Sequence, residues 1–222
     1  MKSNSFDFCH AVLDSGVLIR LQRTVEYWQS KGLVYVPLPW IVPQSIMDFP
    51  KPPWIEAPDI ATIVGPLVAS GEQSFLWLSE QGRLPVNPRG YIGWSPCFRR
   101  ENYDHFHHHY FIKAELFIPV MPNTSELVLE EVISGSEKWF TTLANEAGLP
   151  IRRRVLSDQI DLELDNVELG SYGIRETPSG VPYVFGTALA EPRWTEALAD
   201  YRGAYHPAEI YDLPPRPPPS LF

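Results

Sequence analysis

Phe98-Arg99-Arg100-Glu101, a short loop, and then His107-His108-His109-Tyr110-Phe111-Ile112-Lys113-Ala114-Glu115 decide how the rest of this chain is read. Trp94, Cys97 and Phe98 lead in, and Asn102-Tyr103-Asp104-His105 breaks the run. Tyr110, Phe111, Ile112, Leu116, Phe117 and Ile118 lead out, and this aromatic and β-branched content predicts two strands joined by a polar turn. The polar content is unusual for a buried hairpin: two arginines, a glutamate, a lysine and four histidines within five positions. Such charges cost free energy unless something pairs with them. A polyanion carrying a flat ring would do so, with arginine on phosphate and an aromatic side chain on the ring. The alternatives are a zinc site built from the histidines and a plain charged surface hairpin. Zinc needs ligands that converge on one tetrahedron. His107, His108 and His109 are adjacent and would alternate faces along a strand.

Working outward, 222 residues suffice for one large domain with a real core. A net charge of -9 disfavours a dedicated nucleic-acid binder, although Arg152-Arg153-Arg154 is a local basic patch. Two cysteines, Cys9 and Cys97, make no disulfide framework. The N-terminus lacks a basic segment followed by an apolar run, so no signal peptide is expected. No stretch approaches the length of a membrane span. The cytoplasm is the expected compartment.

Residues 1–10 read as a lead-in. Residues 11–31 carry Val17, Leu18, Leu21, Val25 and Trp28 at helical spacing, and Gly32 is a good stop. An apolar strand with prolines follows over 32–42, and 43–60 reads as a proline-rich loop. Residues 124–147 predict a helix with Leu129, Val132, Ile133, Phe140, Leu143 and Ala147 on one stripe and Gly135 as a blemish. Short strands follow over 151–155, 159–164 and 167–175, giving a compact antiparallel sheet. The last ten residues hold five prolines and are expected as an extended tail over 213–222. Neither a Gly-x-Gly-x-x-Gly nor a Walker A run occurs.

The opening stretch resembles motif 2 of the class II aminoacyl-tRNA synthetases: F-R-x-E, a loop, then an aromatic four residues before an acid. His109 to Glu115 is closest to the seryl-type spelling. The resemblance implies that Arg99 holds the ATP α-phosphate and the substrate carboxylate. It also implies that Glu101 binds the adenine amino group and that Phe111 stacks on adenine. His107 stands near the place of a family arginine and joins the ATP set. Helix, Gly32, strand and Pro39 resemble motif 1, which in the family forms the dimer interface, so a homodimer through residues 12–42 is expected. Ser70-Gly71-Glu72 resembles the T-x-E segment that binds the substrate α-amino group, with serine for threonine; read as bare sequence it is a turn with a capping serine. Glu168-Leu169-Gly170-Ser171 resembles the E-x-x-S segment that holds ATP-bound Mg²⁺, with Asp161 and Glu163 close by. Gly186-Thr187-Ala188-Leu189-Ala190-Glu191-Pro192-Arg193 resembles motif 3, in which Arg193 takes the γ-phosphate.

The resemblance spans about residues 12–205. It implies an α+β fold, a class II synthetase-like antiparallel sheet flanked by helices, over a catalytic domain of 11–212. It implies ATP and Mg²⁺ as cofactors and Arg99 and Arg193 as the catalytic pair. Ser70, Glu72, Glu115 and Ser171 would bind substrate, and Glu168 with Ser171 would hold the metal. The expected activity is activation of an amino acid, or a similar carboxylic acid, as its adenylate by a stand-alone core without a tRNA-binding domain. The acceptor would be a carrier protein, a small amine or, by an unusual mode, tRNA. The other expectation is a synthetase-like regulatory subunit that has lost the chemistry. Tyr172 and Trp94 are candidates to line the acid pocket.

Overall fold

The computed structural model describes residues 13–50, 60–87, 89–100 and 105–203. The lead-in, Glu101 and the proline-rich tail lie outside the described residues. Helix α1 (Ser15–Ser30) starts where Asp14 accepts the Val17 amide and ends before Gly32, whose φ of 92° is left-handed. It buries Val17, Leu21, Thr24 and Trp28, whereas Leu18 points outward and is half exposed. The apolar run after it makes a shorter strand than its composition predicts. Only β1 (Val34–Tyr35) pairs with a neighbour, because prolines interrupt the ladder, and Ile41 makes an isolated bridge to Leu67. The proline-rich segment contains a short helix, α2 (Gln44–Asp48). A small ribbon, β2 (Ala61–Thr62) and β3 (Gly65–Pro66), leads to α3 (Gly71–Glu80).

The decisive hairpin is β4 (Tyr91–Phe98) and β5 (Tyr110–Pro119), both nearly buried throughout. Helix α4 (Ser125–Ala144) follows, closed by Asn145 in the left-handed region. Four more strands and a helix complete the chain: β6 (Ile151–Val155), β7 (Ile160–Leu164), β8 (Val167–Glu176), β9 (Pro182–Glu191) and α5 (Arg193–Tyr201). The seven-stranded sheet runs β1-β4-β5-β9-β8-β7-β6. Only the β1–β4 pairing is parallel.

The sheet divides the core in two, as strand periodicity requires. Ile112, Ala114, Leu116 and Ile118 of β5 face α1 and α4 in the larger cluster, with Tyr172 and Val184. Phe117 faces the other way, with Tyr91, Tyr183, Phe185 and α3's Phe75 and Leu76. Each such large side chain contributes about 1.5–3 kcal/mol by leaving water. On the first face, Tyr27 stacks on Trp139 at 4.8 Å, and the Trp139 indole donates to Thr24 Oγ1 at 3.2 Å. Gly135, unfavourable in a helix by itself, lets Trp28 approach: a Cβ there would lie 2.9 Å from its ring. Trp94 packs on this same face and Tyr172 is fully buried in it, its hydroxyl donating to the Thr187 carbonyl at 2.6 Å. Neither residue lines the site below, because both pack into the cluster under α1 and α4.

Candidate active site

The candidate site lies on the face under α3, where Lys113 and Glu115 of the hairpin gather. In register across β4 and β5, Cys97 meets Phe111, Ser95 meets Lys113 and Gly93 meets Glu115. Lys113 and Glu115 are two apart on one strand and share this face, and Lys113 Nζ donates to Glu115 Oε1 at 2.8 Å. Glu115 is only 5% exposed. Its Oε1 also accepts from Ser70 Oγ at 2.5 Å, and its Oε2 accepts from the Gly71 amide. Burial pushes its carboxyl up, but Lys113, Ser70 and Gly71 outweigh that and leave it below the usual glutamate range. Cys97 behind them is a free thiol, pushed up to about 12 by burial and the Glu115 charge.

Ser70 is also the N-cap of α3, with Gln73 completing a capping box. A Cβ at Gly71 would fall 2.7 Å from the Glu115 carboxylate, so glycine lets helix and strand touch. The next residue, Glu72, is 8% exposed. Arg175 Nη1 donates to both its oxygens at 3.0 and 2.7 Å, and the Tyr183 hydroxyl donates to Oε1 at 2.7 Å. Burial, then the Glu72 charge, pushes the Tyr183 phenol up, so it remains a donor. Arg175 also lies 4.1 Å from the Phe185 ring centroid. The expected substrate residues Ser70, Glu72 and Glu115 therefore converge, joined by Lys113, Arg175 and Tyr183. Period-two alternation through Ser171, Gly173 and Arg175 is the signal that would have put Arg175 on this face.

The other end is built by Arg99, Phe111 and Arg193. The Arg99 amide donates to the His109 carbonyl at 2.9 Å, and its Nε to the Ala69 carbonyl at 2.9 Å. Its guanidinium sits 5.0 Å from the Phe111 ring centroid. Arg193 is the first residue of α5, and Pro192 is its N-cap rather than its first helical residue. Arg193 Nε donates to the Phe106 carbonyl at 3.3 Å, and Nη1 to Glu168 Oε1 at 3.1 Å. A small crevice of about 10 Å³, room for roughly one water, lies between Phe111 and Arg193, edged by Phe106, His108, Ala190, Glu191 and Pro192. A guanidinium over an aromatic face, with a second guanidinium at the start of α5, supplies the groups that a flat base carrying phosphates would use.

His107 is exposed on the loop. Its neighbour His108 makes the loop's contact to α5, with Nε2 3.1 Å from Glu196, and His105 lies 3.6 Å from Asp200. Among the described residues no group of three or more His, Cys, Asp or Glu converges as a metal cluster, which leaves the zinc reading unsupported.

Ser171 lies opposite Asp161 in register, and Glu168 opposite Glu163 across a bulge. Asp161 is nearly buried, and Gln159 donates to it at 2.9 Å. Burial pushes its carboxyl up, and the Glu168 charge adds to this against the hydrogen bonds of Ser171 and Gln159. Carboxylates beside a hydroxyl are hard-oxygen donors, the kind a divalent ion that keeps several waters would use.

No protein-family profile matches the chain. It is similar to the serine–tRNA ligase of Staphylothermus marinus, 31% identical over 149 residues, covering 60% of this chain and 30% of that protein. It is also similar to that of Methanocorpusculum labreanum, 37% identical over 100 residues, covering 42% and 21%. The chain thus spans about a third or less of the length of the curated relatives it matches. Among solved structures, the cytoplasmic serine–tRNA ligase of Naegleria fowleri in complex with AMP superposes with a TM-score of 0.61 at 19% identity. It covers 85% of this chain and 53% of that one. A pyrrolysyl-tRNA synthetase of Desulfitobacterium hafniense superposes at 0.64 and 18% identity, covering 85% and 70%. The fold is that of the class II aminoacyl-tRNA synthetase catalytic core. In sequence, the curated proteins it resembles here are serine–tRNA ligases.

Proposed function

We propose that this core activates a carboxylic acid, in the first instance an amino acid, as its acyl-adenylate. The observation that carries this reading is the Arg99 guanidinium over the Phe111 ring, on the same hairpin as Glu115, which with Ser70 and Glu72 forms the polar nest. In the reaction a carboxylate oxygen of the acid attacks the ATP α-phosphorus, the bond to the bridging oxygen breaks, and pyrophosphate leaves with that electron pair. No protein nucleophile is required. Arg99 holds the acid carboxylate and the α-phosphate and offsets the charge that develops there; Arg193 orients the γ-phosphate; Phe111 covers the base. Glu168 and Ser171 would hold Mg²⁺, which when bound neutralises phosphate charge. Ser70 and Glu72 receive the polar substituent of the acid, and Lys113 keeps Glu115 ionised beneath them. A homodimer through residues 12–42 fits the exposure of Leu18 and Ile19 on α1. The adenylate would pass to a carrier protein, a small amine or a tRNA.

A second reading, a binding subunit without chemistry, draws on the ion pairs Arg193–Glu168 and Arg175–Glu72, which satisfy the site internally. ATP–pyrophosphate exchange with Mg²⁺, against each amino acid in turn, separates the two. Exchange with one or two acids is expected, and Arg99→Ala should abolish it. An Arg99→Ala protein with full exchange would sink the assignment. ATP binding without exchange on any acid would favour the binding subunit.

A further inference from the structure

We propose that Glu191 is a positioning residue for Arg193, and that Arg20 of α1 holds Glu191 in place, so the phosphate end of the site is set from the α1 layer. The inference rests on the adenylation reading for its kinetic arm only. Glu191 ends β9 and its side chain is 0% exposed. A carboxylate in that position is costly unless its oxygens are engaged. Arg20 Nε donates to Oε1 at 2.5 Å. Thr195 donates to Oε2 twice, through Oγ1 at 2.8 Å and its amide at 3.3 Å. Arg20 Nη2 closes the ring by donating to Thr195 Oγ1 at 2.9 Å. One carboxylate therefore joins α1, β9 and α5.

The Thr195 amide belongs to the first turn of α5, whose amides have no partner within the helix. Pro192, the N-cap, supplies no side-chain acceptor. Glu191 does that work from one residue earlier, on the helix end where a negative charge is favourable. Arg193 lies in the same turn, two residues from Glu191 and from Thr195. Its direction toward Glu168 and the Phe106 carbonyl follows from how this turn is seated. Arg20 is a quarter exposed and reaches Glu191 from a separate layer, so a disturbance of α1 reaches Arg193 through one ion pair.

The test uses the full chain with Arg20→Gln, Arg20→Lys, Glu191→Gln and the double variant Arg20→Gln/Glu191→Gln, which buries no charge and guards against misfolding of the single ones. Two readouts are taken: KM for ATP against kcat in pyrophosphate exchange, and hydrogen exchange of the segment 193–201 by mass spectrometry. The Gln variants should raise KM for ATP about tenfold, since small misplacements of a charge clamp are costly in rate and binding. They should also speed exchange at the start of α5 about fivefold or more, as loss of a cap does. Arg20→Lys should recover most of both. A purely structural role would lower kcat through the folded fraction and leave KM unchanged. That result, with exchange of 193–201 unaltered, overturns the proposal. If the wild-type protein neither binds ATP nor exchanges pyrophosphate, the adenylation reading falls. The hydrogen-exchange arm then decides the Arg20–Glu191–α5 coupling alone.

Discussion

Glu115→Gln tests the view that Glu115 is the anchor of the α3 turn. The carboxylate takes donors from Ser70, Gly71 and Lys113. The amide keeps one acceptor oxygen and turns the other into a donor, so at least one of these donors faces another donor. An orphaned buried donor costs about 1–3 kcal/mol. Lys113 also loses its counter-charge at 15% side-chain exposure. Breaking a buried pair on one side costs about 3–5 kcal/mol, and the water still reaching Lys113 puts this case at the lower end. A net loss of about 3 kcal/mol is expected, or about 6–12 °C in Tm for a domain of this size. Urea unfolding followed by tryptophan fluorescence reads it as a drop in midpoint at constant slope. Adding Lys113→Met should recover most of the loss. The acid dependence has a definite sign. Glu115 lies below its ordinary value of 4.5, so its stabilisation is complete above that pH and fades as pH falls through the lowered value. The gap between wild type and Glu115→Gln should narrow on acidification below that point. A loss under about 1 kcal/mol, or a gap that widens in acid, refutes the anchor role.

Two further predictions follow from the same packing. Ser70→Ala removes the α3 cap and one charged hydrogen bond and should cost about 2 kcal/mol, read from the urea midpoint. Gly135→Ala gains about 1 kcal/mol in helix propensity. It also drives a Cβ to 2.9 Å from Trp28, an overpacking worth about 1–3 kcal/mol, so it should destabilise by about 1 kcal/mol. A thermal melt that rises instead would show that α1 and α4 are not in close contact there.

The hairpin was legible because its signals are local. Aromatic and β-branched residues mark β4 and β5, and the charges that such strands should not carry mark the site. The α1 and α4 stripes were legible for the same reason, although Leu18 satisfied the helical period while facing out. What was not legible depends on convergence between distant segments. Arg175 and Tyr183 reach Glu72 across more than a hundred residues of sequence. Arg20 and Glu191 are 171 apart, and nothing in either neighbourhood announces the other. Tyr172 and Trp94 looked like pocket residues because aromatic content says nothing of which sheet face a strand position takes. The short α2 was hidden by the prolines that flank it.

Ser70 shows why the structural and functional readings of one tripeptide need not compete. Its hydroxyl caps α3 and also binds Glu115, so the helix start and the floor of the acid end are one arrangement. That end is rigid: Glu72 and Glu115 are buried and paired with Arg175 and Lys113. The phosphate end differs. Glu168 is 41% exposed and Arg193 16%, so their 3.1 Å pair is half-buried, with Glu168 the partner that water reaches. On the proposed reading a polyphosphate would give Arg193 a replacement counter-charge, and Glu168 would turn to a divalent ion brought with it. The acid end cannot be rearranged in this way, because parting Glu115 from Lys113 means exposing buried charge. On the proposed reading, discrimination among acids should reside in the preformed nest, and the geometry around Arg193 would be completed on nucleotide binding. The buried Glu191 beneath α5 is what keeps that rearrangement to a side-chain movement, with the helix itself held in place.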